Sequence, residues 1–260
     1  MIFIKNFFYF VRKSVINATL NNFFVFKKYS KIFEFKSSKL LFFFFKIWIS
    51  ESIRKKNIFL SHKYINIFND KFFFNKNEDW FSHNIPIWDF FLKKEINLEK
   101  SIEFLEIGSY EGRSAVYICS EFKNFFVTAV DPFLPYEEIK SYISDLNMEK
   151  KYDTLKKNLN LFSKKTKIYR LTSDEFFMKN NKKFDVIYID GSHKSNDVKK
   201  DFLNAIEVIN QNGLIILDDL TWQHYDNLID NPFFGIFSVL NKNPKLKIIS
   251  ISNQLIVKKI

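Results

Sequence analysis

The sequence contains a single cysteine, Cys119, among its 260 residues. One cysteine cannot form an intramolecular disulfide, so the chain suits a reducing compartment. Cys119 itself is expected to be a small core residue rather than a reactive thiol. A chain of this length can bury a full core without cross-links. We therefore expect a cytoplasmic protein with one large domain, or one domain with an appended segment.

Long uninterrupted apolar stretches are also missing. The most apolar run, residues 40–49, has about half the length that a bilayer-spanning helix needs, and it contains Lys46. Lys5, Arg12 and Lys13 interrupt the apolar residues near the start, and no clear cleavage site follows them. Neither a transmembrane helix nor a cleavable signal peptide is predicted.

Acidic residues are scarce in the first part of the chain. Residues 1–63 contain 13 lysines and arginines but only two acids, Glu34 and Glu51. The two signs balance in the remainder, so the net charge of +11 belongs to this segment. No recognised nucleic-acid-binding module accompanies the charge, and we expect no specific nucleic-acid partner.

The same segment is rich in phenylalanine and has helical periodicity. Ile4, Phe8, Val11 and Val15 share one face of a predicted helix over residues 1–28. Aromatic stripes of this kind usually pack on a core, here that of the domain or of a partner. The alternative is peripheral membrane contact through residues 1–63, with aromatic groups at the headgroup boundary and lysines facing anionic lipid. A polar stretch then divides the chain into a basic, aromatic-rich helical segment (residues 1–76) and a domain (residues 77–260).

Glycine is scarce too, and two of the five glycines, Gly108 and Gly112, lie in one turn. A strand-like run (residues 102–107) enters this turn and a helix-like run (residues 114–122) leaves it. Such a turn presents unpaired backbone N–H groups to a ligand, and glycine lets the ligand approach the main chain. The Gly-x-Gly-x-x-Gly spacing of dinucleotide-binding proteins is absent.

Strand-like and helix-like segments alternate after the turn. Strands are predicted at residues 125–130, 167–171, 184–189 and 214–217, and helices at residues 136–161, 173–178, 196–210 and 231–240. Ser173 or Asp174 is expected to cap the second of these helices, and residues 211–213 are expected to end the third. Residues 247–251 and 254–258 are expected to form an antiparallel pair. The alternation predicts an α/β fold with a mostly parallel sheet covered on both faces.

Polar side chains follow the predicted strands, at the carboxyl ends where open α/β sheets bind ligands. A single aspartate at such a place is usually a helix cap or a turn residue, but five strand ends together favour a ligand site. Asp131 follows the glycine turn at about the interval at which an acid binds a ribose diol in nucleotide-binding folds. The polar residues at the five strand ends are Glu106 with Gly108, Asp131, Ser173 with Asp174, Asp190, and Asp218 with Asp219.

These motifs resemble class I S-adenosylmethionine (SAM)-dependent methyltransferases. The similarity is carried by residues 104–116, 130–132, 188–193 and 217–220. Within this class, residues 79–86 and the glycine turn together resemble one narrower group. It is a bacterial methyltransferase-domain family related to catechol O-methyltransferase. The resemblance covers residues 77–260. It implies a Rossmann-like, doubly wound seven-stranded sheet with an antiparallel last strand.

The resemblance also implies residue roles. Catechol-type enzymes hold a divalent cation, and the matching positions are Asp190, Asp218 and Asp219, an all-carboxylate set suited to Mg²⁺. The general base of that family is a lysine, at the position that His193 occupies here, and a neutral imidazole can accept a hydroxyl proton. His193 and Asp190 are therefore the predicted catalytic residues, although His193 could instead be a metal ligand. The implied SAM-binding residues are Glu106, Gly108, Tyr110, Gly112 and Ser114 around the methionine part, Asp131 at the ribose, and Ser173 and Asp174 at the adenine.

The predicted function is SAM-dependent O-methyl transfer to a hydroxyl of a small molecule or a glycan, with or without help from Mg²⁺. Two alternatives stay open. One is a metal-independent N- or O-methyltransferase. The other is a catalytically inactive membrane- or complex-associated module of the same fold. Neither the acceptor nor the oligomeric state follows from these motifs.

Overall fold

The computed structural model describes the backbone of residues 2–135 and 147–260, and the side chains of these ranges from residue 12 onwards. The helices are α1 (Ile2–Tyr29), α2 (Ser37–Lys56), α3 (Ile58–Lys71), α4 (Ile85–Glu95), α5 (Arg113–Glu121), α6 (Met148–Asn160), α7 (Ser173–Lys179), α8 (Ser195–Val208) and α9 (Pro232–Leu240). The strands are β1 (Ile102–Ile107), β2 (Phe125–Val130), β3 (Thr166–Tyr169), β4 (Phe184–Ile189), β5 (Ile209–Leu217), β6 (Leu246–Ile251) and β7 (Leu255–Lys259).

The seven strands form one sheet in the order β3-β2-β1-β4-β5-β7-β6. The pairs among β1 to β5 are parallel, whereas β7 is antiparallel to both β5 and β6. The parallel strands are joined by helical crossovers, which place helices on both faces of the sheet. The prediction of a Rossmann-like α/β fold with an antiparallel last strand is confirmed.

The central strands bury side chains on both faces. In β4, Ile187 and Ile189 pack on one side of the sheet with α8 and α9, and Val186 and Tyr188 pack on the other side with α4 and α5. Successive side chains of a strand point to opposite faces, so a strand buried on both sides reads as a continuous apolar run. Cys119 lies in the core on the α4 and α5 side of the sheet, where burial raises the pKa of its thiol to about 12.

Helices α1 and α2 contribute to the core on the α9 side. Phe26 of α1 and Phe43 of α2 are fully buried and contact the α9 phenylalanines, Phe233 and Phe237. Tyr29 stacks on Phe233 with ring centroids 4.2 Å apart. The helix predicted over residues 1–28 is thus present as α1. The side chains of Ile4, Phe8 and Val11 lie outside the described residues, whereas Val15 is buried.

Three local predictions need correction or restriction. Helix α7 is capped by Thr172, not by Ser173 or Asp174, because Thr172 and Glu175 form a reciprocal capping box. Helix α8 ends at Val208, and residues 209–213 begin β5 rather than ending the helix. The helix predicted over residues 136–161 is described only as α6, since residues 136–146 lie outside the described residues.

No helix among the described residues combines the length and the apolar character that crossing a bilayer requires.

Candidate active site

Four strand ends lie in register at one edge of the sheet. Ile107 pairs with Val130 on one side and with Ile189 on the other, and Ile189 pairs with Leu217. The backbone ladder continues one residue further, because the amides of Gly108, Asp190 and Asp218 donate to the last carbonyl of a neighbouring strand at 2.8–2.9 Å. The polar residues that follow the four strands are therefore brought side by side, as neighbouring strands lie about 5 Å apart.

Gly108 allows this edge to be closely packed. Its φ of +88° lies in the left-handed region, and a Cβ added there would clash with the backbone carbonyl of Asp190. Gly112, with a φ of +83°, begins the turn into α5. The backbone between these two glycines curves around the end of β1, and Tyr110 within it also has a positive φ of 46°. Residues other than glycine rarely have a positive φ, and those that do are concentrated at functional sites such as ligand-binding loops.

Glu106 lies fully buried in β1, just before this turn. Its Oε1 accepts a hydrogen bond from the hydroxyl of Ser114 in α5. Its Oε2 has no hydrogen-bond partner among the described residues. Burial raises the pKa of the Glu106 carboxyl to about 8, although the Ser114 hydroxyl opposes the shift. A buried carboxyl with one unsatisfied oxygen is a site where a cationic ligand group would be strongly stabilised.

The raised pKa of Glu106 has a consequence for stability. Between pH 4.5 and about 8, the folded protein holds a proton that the unfolded chain has lost. The free energy of unfolding of the ligand-free protein should therefore decrease as pH rises through this window. In urea denaturation from pH 5 to pH 8, Glu106→Gln should flatten the decrease. Glu103→Gln, on the same strand but one-third exposed, should leave it unchanged. Identical slopes in the wild type and in Glu106→Gln would contradict the assignment.

Asp131 follows β2 and is buried against the glycine turn. Its Oδ2 accepts from the backbone amide of Tyr110 at 2.9 Å, and its Oδ1 accepts from the amide of Phe133 at 2.7 Å. Burial raises the pKa of Asp131, whereas these two amide hydrogen bonds oppose the shift. The carboxylate thus ties the turn to the next strand, close to where the sequence predicts the ribose.

Asp190, His193 and Asp219 form the group best arranged to hold a metal ion among the described residues. One ligand atom from each lies within 4.8 Å of the others, and all three side chains are partly exposed. His193 Nε2 is 2.7 Å from Asp219 Oδ2, and the imidazole stacks on Trp222 with ring centroids 4.8 Å apart. Asp219 has a positive φ of 51°, so the loop after β5 is strained where it presents this carboxylate.

Asp218 is directed differently from its neighbour. Its Oδ2 accepts from the hydroxyl of Tyr188 and from Gln254 Nε2, the latter at 2.8 Å, and its Oδ1 accepts from the amide of Asp219 at 2.7 Å. The Tyr188 hydroxyl oxygen is also 2.7 Å from Asp190 Oδ2, so its single proton is shared between the two carboxyl groups. Burial, and next the negative charge of Asp219, raise the pKa of Asp218 to about 7. The role of Asp218 as a metal ligand stays a prediction, since protein donors contact both of its oxygens.

Residues 105–220 match the family model described as "Methyltransferase domain". These residues form a methyltransferase domain on the Rossmann-like sheet described above. The matched range runs from β1 to the loop after β5, and it includes every predicted site residue from Glu106 to Asp219. No protein of curated function is similar enough in sequence to match.

Solved structures share the fold of this methyltransferase domain. A SAH-bound methyltransferase from Podospora anserina, PaMTH1, is 11% identical over 77% of this chain and 88% of its own, with a TM-score of 0.52. A putative caffeoyl-CoA O-methyltransferase from Staphylococcus aureus is 18% identical over 79% of this chain and 97% of its own, also with a TM-score of 0.52. The MycE methyltransferase of mycinamycin biosynthesis, solved with Mg, SAH and mycinamycin VI, is 16% identical over 77% of this chain and 53% of its own, with a TM-score of 0.51.

The predicted adenine contacts lie at the start of α7 in the methyltransferase domain. Asp174 forms an ion pair with Lys200 of α8 and is about half exposed. Ser173 is partly buried beside it. Their contact with adenine stays a prediction.

Three charged residues beside the glycine turn are missing from the sequence prediction. Lys151 Nζ is 2.6 Å from Glu78 Oε2 and 2.9 Å from Glu111 Oε1, and all three side chains are buried. The hydroxyl of Tyr110 donates to the same Glu78 oxygen at 2.6 Å. In the sequence, Glu78 falls in the polar stretch interpreted as a boundary, and Lys151 falls in a charged helix. Glu111 lies between Gly108 and Gly112, and its place in this turn is the one sequence signal that could have suggested such a cluster.

Proposed function

We propose that this protein is a SAM-dependent methyltransferase that transfers the methyl group to a hydroxyl of a small molecule or a glycan. The observation that carries the proposal is the aligned strand edge, where Glu106, the glycine turn and Asp131 come together within the matched methyltransferase domain. PaMTH1 and MycE, which share the fold, were solved with SAH, the demethylated product of SAM. We place the reaction in the cytoplasm because the single cysteine is free and buried.

The residues at this edge fit the parts of SAM. The unsatisfied Oε2 of Glu106 offers a negative charge to the cationic methionine part, and binding such a cation would stabilise the ionised carboxylate. Asp131 offers its carboxylate to the ribose hydroxyls, as in other nucleotide-binding sheets. Gly108 and Gly112 allow the left-handed backbone of the turn between the two and its close packing against Asp190 and Leu155. When bound, SAM supplies an electrophilic methyl group for direct displacement, so the protein contributes alignment and deprotonation.

The acceptor hydroxyl is proposed to bind beside Asp190, His193 and Asp219. Two carboxylates and one imidazole also fit Mg²⁺ or Mn²⁺, and such an ion would lower the pKa of a bound hydroxyl. In either case the acceptor must lose its proton as the methyl group arrives, and without a metal His193 is the base that we propose. The ring of Trp222 fixes the plane of the imidazole, and Asp219 fixes its orientation.

Metal binding can be tested without knowing the acceptor. Titration of Mn²⁺ into the EDTA-treated protein, followed by electron paramagnetic resonance, should reveal one bound ion. Asp219→Ala should abolish this binding because it removes one of the three ligand residues. Asp226→Ala, an exposed aspartate of the same loop, should bind Mn²⁺ as the wild type does. Methyl transfer that persists after chelation, together with no Mn²⁺ binding, would remove the metal from the mechanism.

A metal-independent methyltransferase is the second candidate, and the His193–Asp219 pair is the observation that favours it. An aspartate 2.7 Å from an imidazole nitrogen orients the ring and stabilises its protonated form, which is the arrangement a general base needs. In that case, methyl transfer would survive chelation and still depend on both residues.

A further inference from the structure

Helix α2 carries apolar side chains on its outer face. Leu41, Phe42, Phe45, Trp48 and Ile49 are each 45–56% exposed. At 100° per residue these five positions fall within a sector of about 120°. The opposite side of the same helix supplies buried residues to the core. The outer face is therefore a second apolar stripe, which remains exposed in the fold of the described residues.

Helix α1 extends this stripe. Ile16, Leu20 and Phe24 recur every fourth residue and are 38–53% exposed. Ile16 lines a shallow apolar groove together with Phe45 and Trp48 of α2, so the two helices present one continuous surface. We call this surface the α1–α2 apolar face, and it consists of Ile16, Leu20, Phe24, Leu41, Phe42, Phe45, Trp48 and Ile49.

Positive charge surrounds the α1–α2 apolar face. Arg12, Lys13, Lys27 and Lys28 are exposed on α1, and Lys56 is exposed at the end of α2. Of the two acids in residues 1–63, Glu51 is buried and pairs with Arg54. The five exposed cations therefore outnumber the one exposed acid of this segment, Glu34.

Lys46 of α2 and two lysines outside the N-terminal helices add to this positive charge. Lys46 lies on the same helix, over the ring of Phe42 at 5.7 Å. Burial lowers the pKa of Lys46, and the nearby charges of Lys247 and Lys94 lower it further, while Glu95 opposes them. Lys94 and Lys247 are exposed and belong to α4 and β6, so the basic rim extends beyond the N-terminal helices.

We propose that the α1–α2 apolar face docks the protein on a membrane surface that contains anionic lipids. An apolar stripe with aromatic residues, bordered by lysines and arginines, matches the acyl boundary and the negative headgroups at the same time. A second copy of the chain is a poorer occupant, because a symmetric dimer would bring two basic rims together. The docking would hold the methyltransferase domain at the surface without a spanning helix.

Sedimentation of the full chain with vesicles tests this proposal. Vesicles of phosphatidylcholine with 30% phosphatidylglycerol should bind the protein at least about tenfold more strongly than vesicles of phosphatidylcholine alone, and 1 M salt should weaken this binding. The double variant Phe45→Ser/Trp48→Ser should lower the partition coefficient at least about tenfold. The matched control Leu161→Ser/Met178→Ser changes two side chains that are 70% and 82% exposed elsewhere, and should bind as the wild type does.

Two further measurements keep the test independent of folding. Thermal unfolding and SAM binding of each variant show whether its fold is intact. Quenching by brominated lipid should fall in Trp48→Phe, a change that preserves an aromatic ring. No binding of the wild type to the anionic vesicles would overturn the proposal, as would equal binding by the double variant. A wild-type dimer that Phe45→Ser/Trp48→Ser dissociates, without vesicle binding, would assign the face to a second copy instead.

Discussion

Replacing Glu106 by glutamine is expected to weaken SAM binding by about 100-fold or more. The glutamine has nearly the same shape, so the change removes the negative charge and little else. Loss of one partner from a buried charge pair costs about 2–5 kcal/mol, which corresponds to factors of roughly 30 to several thousand in affinity. The side chain is fully buried and one of its oxygens is unsatisfied among the described residues, so the interaction would be poorly screened. Isothermal titration calorimetry with SAM measures the effect.

The matched control is Glu103→Gln. Glu103 lies three residues earlier in β1, where its side chain is partly exposed and faces Lys182 at 3.6 Å. An exposed pair of this kind contributes little, and SAM affinity should change less than twofold. SAM binding by Glu106→Gln at the affinity of the wild type would remove Glu106 from the cofactor site. Absence of SAM binding by the wild type would reject the proposed function as a whole.

Replacing His193 by alanine is expected to lower kcat for methyl transfer by about 10²–10⁴-fold, the usual contribution of a general base. SAM affinity should hardly change, because the imidazole lies beside Asp219 and Trp222 rather than at the glycine turn. Transfer of a radiolabelled methyl group from SAM to a panel of hydroxyl acceptors first identifies an acceptor. Steady-state kinetics with that acceptor then separate kcat from KM.

His62→Ala serves as the control, since His62 is exposed on α3 and should leave kcat unchanged. Added imidazole should partly restore the activity of His193→Ala, because a small base can occupy the space that the side chain leaves. If His193 is the base, its protonation lowers the rate of the wild type at acidic pH. This decrease should be absent from the pH–rate profile of His193→Ala. Full activity in His193→Ala would show that the proton leaves by another route.

Much of the fold could be predicted from local sequence. The strands β1, β2 and β4 begin and end where their apolar runs do, because strands buried on both faces tolerate few polar residues. The start of β5 was missed. Residues 209–213 contain polar side chains and a glycine that resemble a helix stop, but pairing with Phe184 of β4 extends the strand through them. Tertiary pairing outweighs local propensity at such places.

Part of the candidate site could be predicted for the same reason. Parallel strands place their carboxyl ends on one edge, so Glu106, Asp131 and Asp190 could be grouped from the sequence alone. The direction of each side chain could not be predicted. Asp218 and Asp219 are adjacent in sequence, but a left-handed backbone at Asp219 directs the second carboxylate to His193 while the first contacts Tyr188.

The amino-acid sequence by itself determined the α/β class, the strand edge with its acids and the basic character of residues 1–63, because these follow from periodicity, strand direction and charge. Only the tertiary structure decided how the N-terminal helices divide their aromatic residues. Phe26 and Phe43 pack on α9, whereas Phe24 and Phe45 remain about half exposed. All four are phenylalanines with the same helical propensity, and the neighbour that each face meets determines whether it is buried.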